Sequence, residues 1–398
     1  MTSLDTLIVK VASRCNLACT YCYEYFSGDE SWKSLPKVIS TSTLKTLGQR
    51  IQEYCLDAGV SKINVVLHGG EPLIIGPKRL DAVLRSLRAS TAPAKIQFIV
   101  QTNATLITRE ICDVLREHNV SVGISLDGDA EANSKRVTLK GKPTLTTVAE
   151  KINLLKTHSP HLFRGILCAV NFDADPIETL ASLCAYGPPE IDLIAPLVTH
   201  DHADLDRKAA GSKFGTWMIT AMEYWIAHPE FSKVKIRIFD DALQSTISQR
   251  PTTAWFGART ISHLFVDTSG NYDLLDQLKV IGAESSHYRN LHRTVSNSSI
   301  KEAIFVASKL LEKSGGNVLP TDCIGCKWST VCAGSHLTAR HSLRQGFNNK
   351  SVYCEGIQDL LETAHNKMLK YKESKTLTRQ LQSPFEKAGR KPEAHLQE

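Results

Sequence analysis

The stretch LIVKVASRCNLACTYCYEYF, residues 7–26, decides the reading of this chain. Its first seven residues, 7–13, form the apolar, β-branched run of a strand buried on both faces. The run leads into Cys15, Cys19 and Cys22, spaced Cys-x3-Cys-x2-Cys with no fourth cysteine nearby. Structural zinc sites and electron-transfer clusters normally take four protein ligands, so three thiolates on one short loop imply a metal with an open position. The alternative is a zinc knuckle completed by a distant histidine.

Outward from that stretch, similar runs recur at 63–70 (INVVLHGG), 96–103 (IQFIVQTN), 122–128 (VGISLDG), 165–171 (GILCAVN) and 191–198 (IDLIAPLV). Amphipathic segments long enough for crossover helices separate them, which predicts six β-α units around a parallel sheet. The unusual residues sit where the runs end: the cysteines, then His68 to Pro72, Thr102 and Asn103, and Ser125 to Gly128. Carboxyl ends of strands are where α/β folds gather active sites, and this placement favours a partial (β/α)6 TIM-like barrel over a doubly wound sheet. We divide the chain into a barrel at 1–204, a helical bridge at 205–260, a C-terminal module at 261–362 and a basic tail at 363–398.

The composition, 42% hydrophobic and 22% charged, is that of a globular protein. No apolar stretch reaches the length of a membrane span and the start lacks a secretory layout, so a cytoplasmic protein with no membrane partner is expected. Of the net charge of +6, the stretch 367–398 supplies +4 from eight Lys and Arg against four Glu. The body is therefore near neutral and no nucleic-acid partner is expected. Eleven cysteines are too many to be incidental where disulfides are disfavoured. Cys55, Cys112, Cys168 and Cys184 stand alone and read as small buried apolar residues. Cys323, Cys326, Cys332 and Cys354 form a second group, Cys-x2-Cys-x5-Cys-x21-Cys, whose four thiolates suit zinc or a four-iron cluster equally.

The first cysteine spacing, with aromatic Tyr21 before the last cysteine, resembles the signature of the radical S-adenosylmethionine (SAM) superfamily. That resemblance implies a 4Fe-4S cluster on Cys15, Cys19 and Cys22 that binds SAM at its fourth iron and cleaves it to a 5′-deoxyadenosyl radical. Gly69, Gly70 and Glu71 resemble the family's glycine-glycine-glutamate motif. Thr102, Asn103, Ser125 and Asp127 match the later strand ends whose polar side chains reach SAM. The second cysteine group resembles the C-terminal SPASM module of radical SAM peptide maturases, which implies an auxiliary 4Fe-4S cluster. A second auxiliary cluster is not expected, because His336 and Leu275 stand where its cysteines would be. Asp276 is retained beside Leu275 and, by the same resemblance, is the expected general base.

Within the superfamily, phrases such as NYDLLDQLK and VCAGSHLTARHSLRQGFNNKSVYC look like maturases that cross-link ribosomal precursor peptides into three-residue cyclophanes. The expected activity is then a carbon-carbon bond between an aromatic ring and a β-carbon. The expected partners are a precursor peptide and an external one-electron reductant such as flavodoxin or ferredoxin. The alternatives are formylglycine formation on a sulfatase, and a non-catalytic metal-binding peptide adaptor.

Overall fold

The computed structural model describes residues 4–202, 206–231, 233–256 and 261–373. Of the basic tail, residues 374–398 lie outside the described residues.

The six apolar runs become six strands: β1 (Thr6–Ala12), β2 (Lys62–Gly69), β3 (Lys95–Thr102), β4 (Ser121–Ser125), β5 (Phe163–Ala169) and β6 (Glu190–Ile194). They pair in parallel with their sequence neighbours, as the α/β part-barrel reading requires. Leu7, Val9, Leu67, Val100, Val122 and Leu193 are sealed from solvent, which explains the unbroken apolar character of the runs. The crossovers are α1 (Thr41–Ala58), α2 (Gly76–Thr91), α3 (Arg109–Glu117), α4 (Leu145–His158) and α5 (Pro176–Ala185). Their starts follow local chemistry: the Ser40, Thr108 and Asp175 side chains accept from the first-turn amides of α1, α3 and α5.

A short strand, β7 (Lys235–Ile236), pairs with β6 at one edge. At the other edge β8 (His263–Val266) pairs in parallel with β1 and then turns through Gly270 into the antiparallel strands β9 (Asn271–Asp273) and β10 (Asn290–Thr294). The described strands form one sheet in the order β10-β9-β8-β1-β2-β3-β4-β5-β6-β7, so β1 lies between the barrel strands and the C-terminal module. Among the described residues no helix is long and apolar enough to cross a membrane.

Two bridge helices, α6 (Arg207–Ala227) and α7 (Arg237–Ser248), pack against the last helix, α9 (Cys354–Glu373), while α8 (Ile300–Ser314) follows β10. The crossing of α6 and α9 is close because glycines meet there. A Cβ on Gly356 would overlap the Gly211 carbonyl and lie 2.5 Å from the Gly215 nitrogen, whereas a Cβ on Gly211 would meet nothing nearer than 3.6 Å. We expect Gly356→Ala to destabilise the protein by about 1–3 kcal/mol through forced separation of the helices. Gly211→Ala is expected to be neutral or slightly stabilising. Urea unfolding midpoints of the two variants check the contrast.

Candidate active site

The first cysteine loop leaves the end of β1 and is clamped from two sides. On one side the Gly70 and Glu71 amides donate to the carbonyls of Ala12 and Arg14, each at 3.0 Å. Gly69, at φ 147°, and Gly70 permit this approach: a Cβ on Gly69 would overlap the Ala12 carbonyl, and one on Gly70 would lie 2.5 Å from the Arg14 backbone. The glycine pair thus seats the cysteine loop itself, a role that the sequence alone did not reveal. On the other side the Ala18 amide donates to Val137 at 2.8 Å and the Thr20 amide to Lys135 at 3.1 Å.

Within the loop the Leu17 amide donates to Cys15 Sγ at 3.4 Å and the Cys22 amide to the Cys19 carbonyl at 3.0 Å. Burial pushes the Cys15 thiol up to about 12, the Cys22 thiol to about 11, and Cys19 upward as well. A bound cation reverses that preference, since coordinated thiols are deprotonated. Among the described residues the group of three or more potential ligands within 4.8 Å of one another is Asp81, Glu117 and His118, which includes no thiol of either cysteine group. Arg85 already pairs with both of those carboxylates.

The polar residues at the strand ends form two hydrogen-bonded knots beside the loop. Glu71 is buried, and its carboxylate accepts from Thr102 Oγ1 at 2.6 Å, the Asn103 amide at 2.8 Å and the Leu73 amide at 3.0 Å. Burial raises its pKa despite these three donors. Asn103 Nδ2 in turn reaches Asn16 Oδ1 at 3.0 Å and Cys15 Sγ at 3.8 Å, tying β3 to the cysteine loop. In the second knot Asp127 accepts from the Tyr21 hydroxyl at 2.5 Å and from the Ala169 amide at 2.9 Å. Its Oδ2 is also 2.8 Å from Arg136 Nε, whose guanidinium lies 5.6 Å from the Tyr21 ring centre. Ser125 accepts from Gln101 at 3.0 Å. Asn16 and Arg136 were missed by the sequence reading. Asn16 lies inside the motif itself, whereas Arg136 carries no local signal.

Asp276 sits in a buried quartet of charges. Lys10 Nζ is 2.7 Å from Asp276 Oδ2 and 2.7 Å from Glu24 Oε2; Lys279 Nζ is 2.7 Å from Glu24 Oε1 and 3.4 Å from Asp276 Oδ1. No member of the quartet has more than 7% of its side chain exposed. The Tyr23 hydroxyl donates to Asp276 at 3.3 Å. Burial pushes the Asp276 carboxyl up, but the charges of Lys10 and Lys279 outweigh it and hold the group ionised. The sequence offered one clue to this quartet, a lysine inside the apolar run of β1.

The second cysteine group folds around short turns. Cys326 donates its amide to the Cys323 carbonyl at 3.3 Å, Cys332 to the Trp328 carbonyl at 2.7 Å, and Gln358 Nε2 to Cys354 Sγ at 3.2 Å. Burial raises the Cys323, Cys332 and Cys354 thiols, and the electrostatic influence of neighbouring thiols of the group adds to it. His336 stacks on Trp255 with ring centres 5.4 Å apart and its Nδ1 2.8 Å from Thr338 Oγ1. Burial lowers its pKa to about 4, so the ring is neutral, and Leu275 packs on the core.

The parallel part-barrel thus carries three thiols on the loop that follows β1 and four more in a module hydrogen-bonded to that sheet. Residues 9–183 match the Radical SAM superfamily, whose enzymes use a 4Fe-4S cluster and SAM, and the fold is that of solved structures of this type. The serine-type anaerobic sulfatase-maturating enzyme of Bacteroides thetaiotaomicron is 29% identical over 62% of this chain, and the chain spans just under two thirds, 63%, of that relative. The cysteine-type enzyme of Clostridium perfringens is 22% identical over 93% of this chain and 98% of its own length. Among solved structures, native anSMEcpe with bound AdoMet superposes with a TM-score of 0.76 at 20% identity, covering 93% of this chain and 99% of that one. Streptococcus suis SuiB bound to its precursor peptide SuiA gives 0.53 at 13% identity, covering 89% and 76%. The named sequence relatives overturn the expectation of cyclophane cross-linking, because they are sulfatase-maturating enzymes.

Proposed function

We propose that this protein oxidises a serine or cysteine of a sulfatase-derived peptide to formylglycine. The observation that carries the reading is the alignment with a cysteine-type anaerobic sulfatase-maturating enzyme across 93% of this chain and 98% of that enzyme. When bound, the cluster on Cys15, Cys19 and Cys22 together with SAM supplies a hydrogen-abstracting radical, and the cluster on the second cysteine group supplies a one-electron acceptor. The chain's own residues then have three tasks. Glu71, Asn103 and the Tyr21–Asp127–Arg136 knot hold the SAM side of the pocket in shape. The quartet keeps Asp276 anionic and therefore able to accept the proton that leaves the oxidised side chain. The C-terminal module, paired edge to edge with β1, supplies Asp276 and Lys279 to the quartet.

The reading is tested with protein reconstituted under anaerobic conditions, a chemical reductant, SAM and a synthetic sulfatase peptide bearing the target serine or cysteine. Mass spectrometry is expected to show loss of two hydrogens at serine, or exchange of the thiol for a carbonyl oxygen at cysteine. Unchanged peptide alongside abundant 5′-deoxyadenosine overturns it. Asp276→Asn is expected to slow peptide oxidation by about 10²–10⁴-fold while SAM cleavage continues. Oxidation at the wild-type rate would assign the proton to another group.

A further inference from the structure

His68 is the residue before Gly69-Gly70 at the end of β2, and its register partner on β1 is Lys10. Partners in adjacent parallel strands project to the same side of the sheet, so the imidazole stands beside the ammonium group that contacts Asp276. His68 Nδ1 is sealed from solvent and has no hydrogen-bond partner among the described residues. Asp276 Oδ1 is sealed as well, with no hydrogen bond among the described residues and a 3.4 Å ion contact with Lys279. Unpaired buried polar atoms cost stability, and folded proteins retain few of them. Here two occur on neighbouring groups at the carboxyl end of the barrel.

The chemistry of the three groups differs in a useful way. Lys10 only donates, ionised Asp276 only accepts, and a neutral imidazole does both, one at each ring nitrogen. Burial, and next to it the charge of Lys10, lowers the His68 pKa to about 4, against smaller upward effects from Asp276 and the Gly69 backbone. The ring is therefore uncharged at neutral pH. A ligand group that matches it must also donate and accept, which describes a hydroxyl and, more weakly, a thiol.

We propose that His68 contacts the substrate, hydrogen-bonding the hydroxyl or thiol of the residue being oxidised and turning that group's proton toward Asp276. The assignment rests on the function proposed above. The balance is that of the same oxidation: the Cβ hydrogen leaves as an atom to the 5′-deoxyadenosyl radical, the O–H or S–H proton goes to Asp276, and the remaining electron goes to a one-electron acceptor of the iron-sulfur class. The bond formed is the C=O or C=S double bond. Because a thiol is the weaker hydrogen-bonding group, His68 contributes more to a serine than to a cysteine substrate.

The test compares wild type, His68→Ala and His68→Gln on paired peptides that differ only in serine or cysteine at the target. His68→Ala is expected to lower kcat/KM on the serine peptide by roughly tenfold to hundredfold and on the cysteine peptide by less. The ratio of oxidised peptide to 5′-deoxyadenosine is expected to fall in step, with the iron-sulfur absorbance and thermal midpoint near wild type. His68→Gln, which keeps a donor and an acceptor, is expected to recover part of the loss. Equal losses on the two peptides, unchanged kinetics, or loss of the cluster absorbance in His68→Ala each overturn the assignment. If wild type oxidises neither peptide, the functional reading and the assignment fall together; if wild type oxidises them and His68→Ala matches it, His68 alone is wrong.

Discussion

Cys19→Ala is expected to stop 5′-deoxyadenosine formation, reducing it to background in the reconstituted protein. Cys19 holds the middle of the loop, where its carbonyl accepts from the Cys22 amide at 3.0 Å, and its loss leaves two thiols for a cluster that needs three. Cys354→Ala provides the contrast. That residue opens α9, far along the chain from the first loop, and its thiol accepts from Gln358 at 3.2 Å. The variant is expected to cleave SAM but to yield little oxidised peptide. Chromatographic quantification of 5′-deoxyadenosine and peptide from both variants separates the two groups. Undiminished SAM cleavage by Cys19→Ala would mean that the loop is not the site.

Lys10→Met is expected to be the most destabilising single change outside the cysteines, costing about 3–5 kcal/mol. The quartet is balanced: Lys10 and Lys279 against Glu24 and Asp276, with Lys10 and Asp276 only 3% and 1% exposed. Removing one lysine leaves an uncompensated negative charge in the interior, and that penalty exceeds the value of any one pair. The double variant Lys10→Met with Glu24→Gln restores neutrality, since Lys279 still faces Asp276, and is expected to recover much of the loss. Urea midpoints for the two single variants and the double variant form a complete cycle. A Lys10→Met cost below about 1 kcal/mol would show that water reaches the quartet.

The barrel strands were legible because parallel strands buried on both faces carry unbroken apolar runs: IQFIVQTN at 96–103 became Lys95–Thr102 with a one-residue shift. The two-residue strand Lys235–Ile236 has no run to read. HLFV at 263–266 was legible as a strand but not as the parallel neighbour of β1, whose residues lie more than 250 positions upstream. The thiols announced themselves by spacing. The structure shows Glu71 bonded to Thr102 and Asn103 and gives Tyr21 and Arg136 to Asp127, and these pairings cross from one strand end to another. Only a fold can make them, because each partner on its own is an ordinary polar residue.

The stapling of the loop after the first cysteines to the C-terminal module bears on how such chains recombine. Glu24 is answered by Lys279 at 2.7 Å and Asp29 by Arg289 at 2.9 Å, while the Ser27 hydroxyl donates to the Lys279 carbonyl at 2.8 Å. Arg289 also pairs with Asp273, and Ser285 bonds to Asp29. A crossover that exchanged the C-terminal halves of two relatives would separate each acid from its base and bury the mismatch. Segments so far apart in the gene are therefore inherited as a set, and a viable chimera must carry Lys279 and Arg289 together with Glu24 and Asp29.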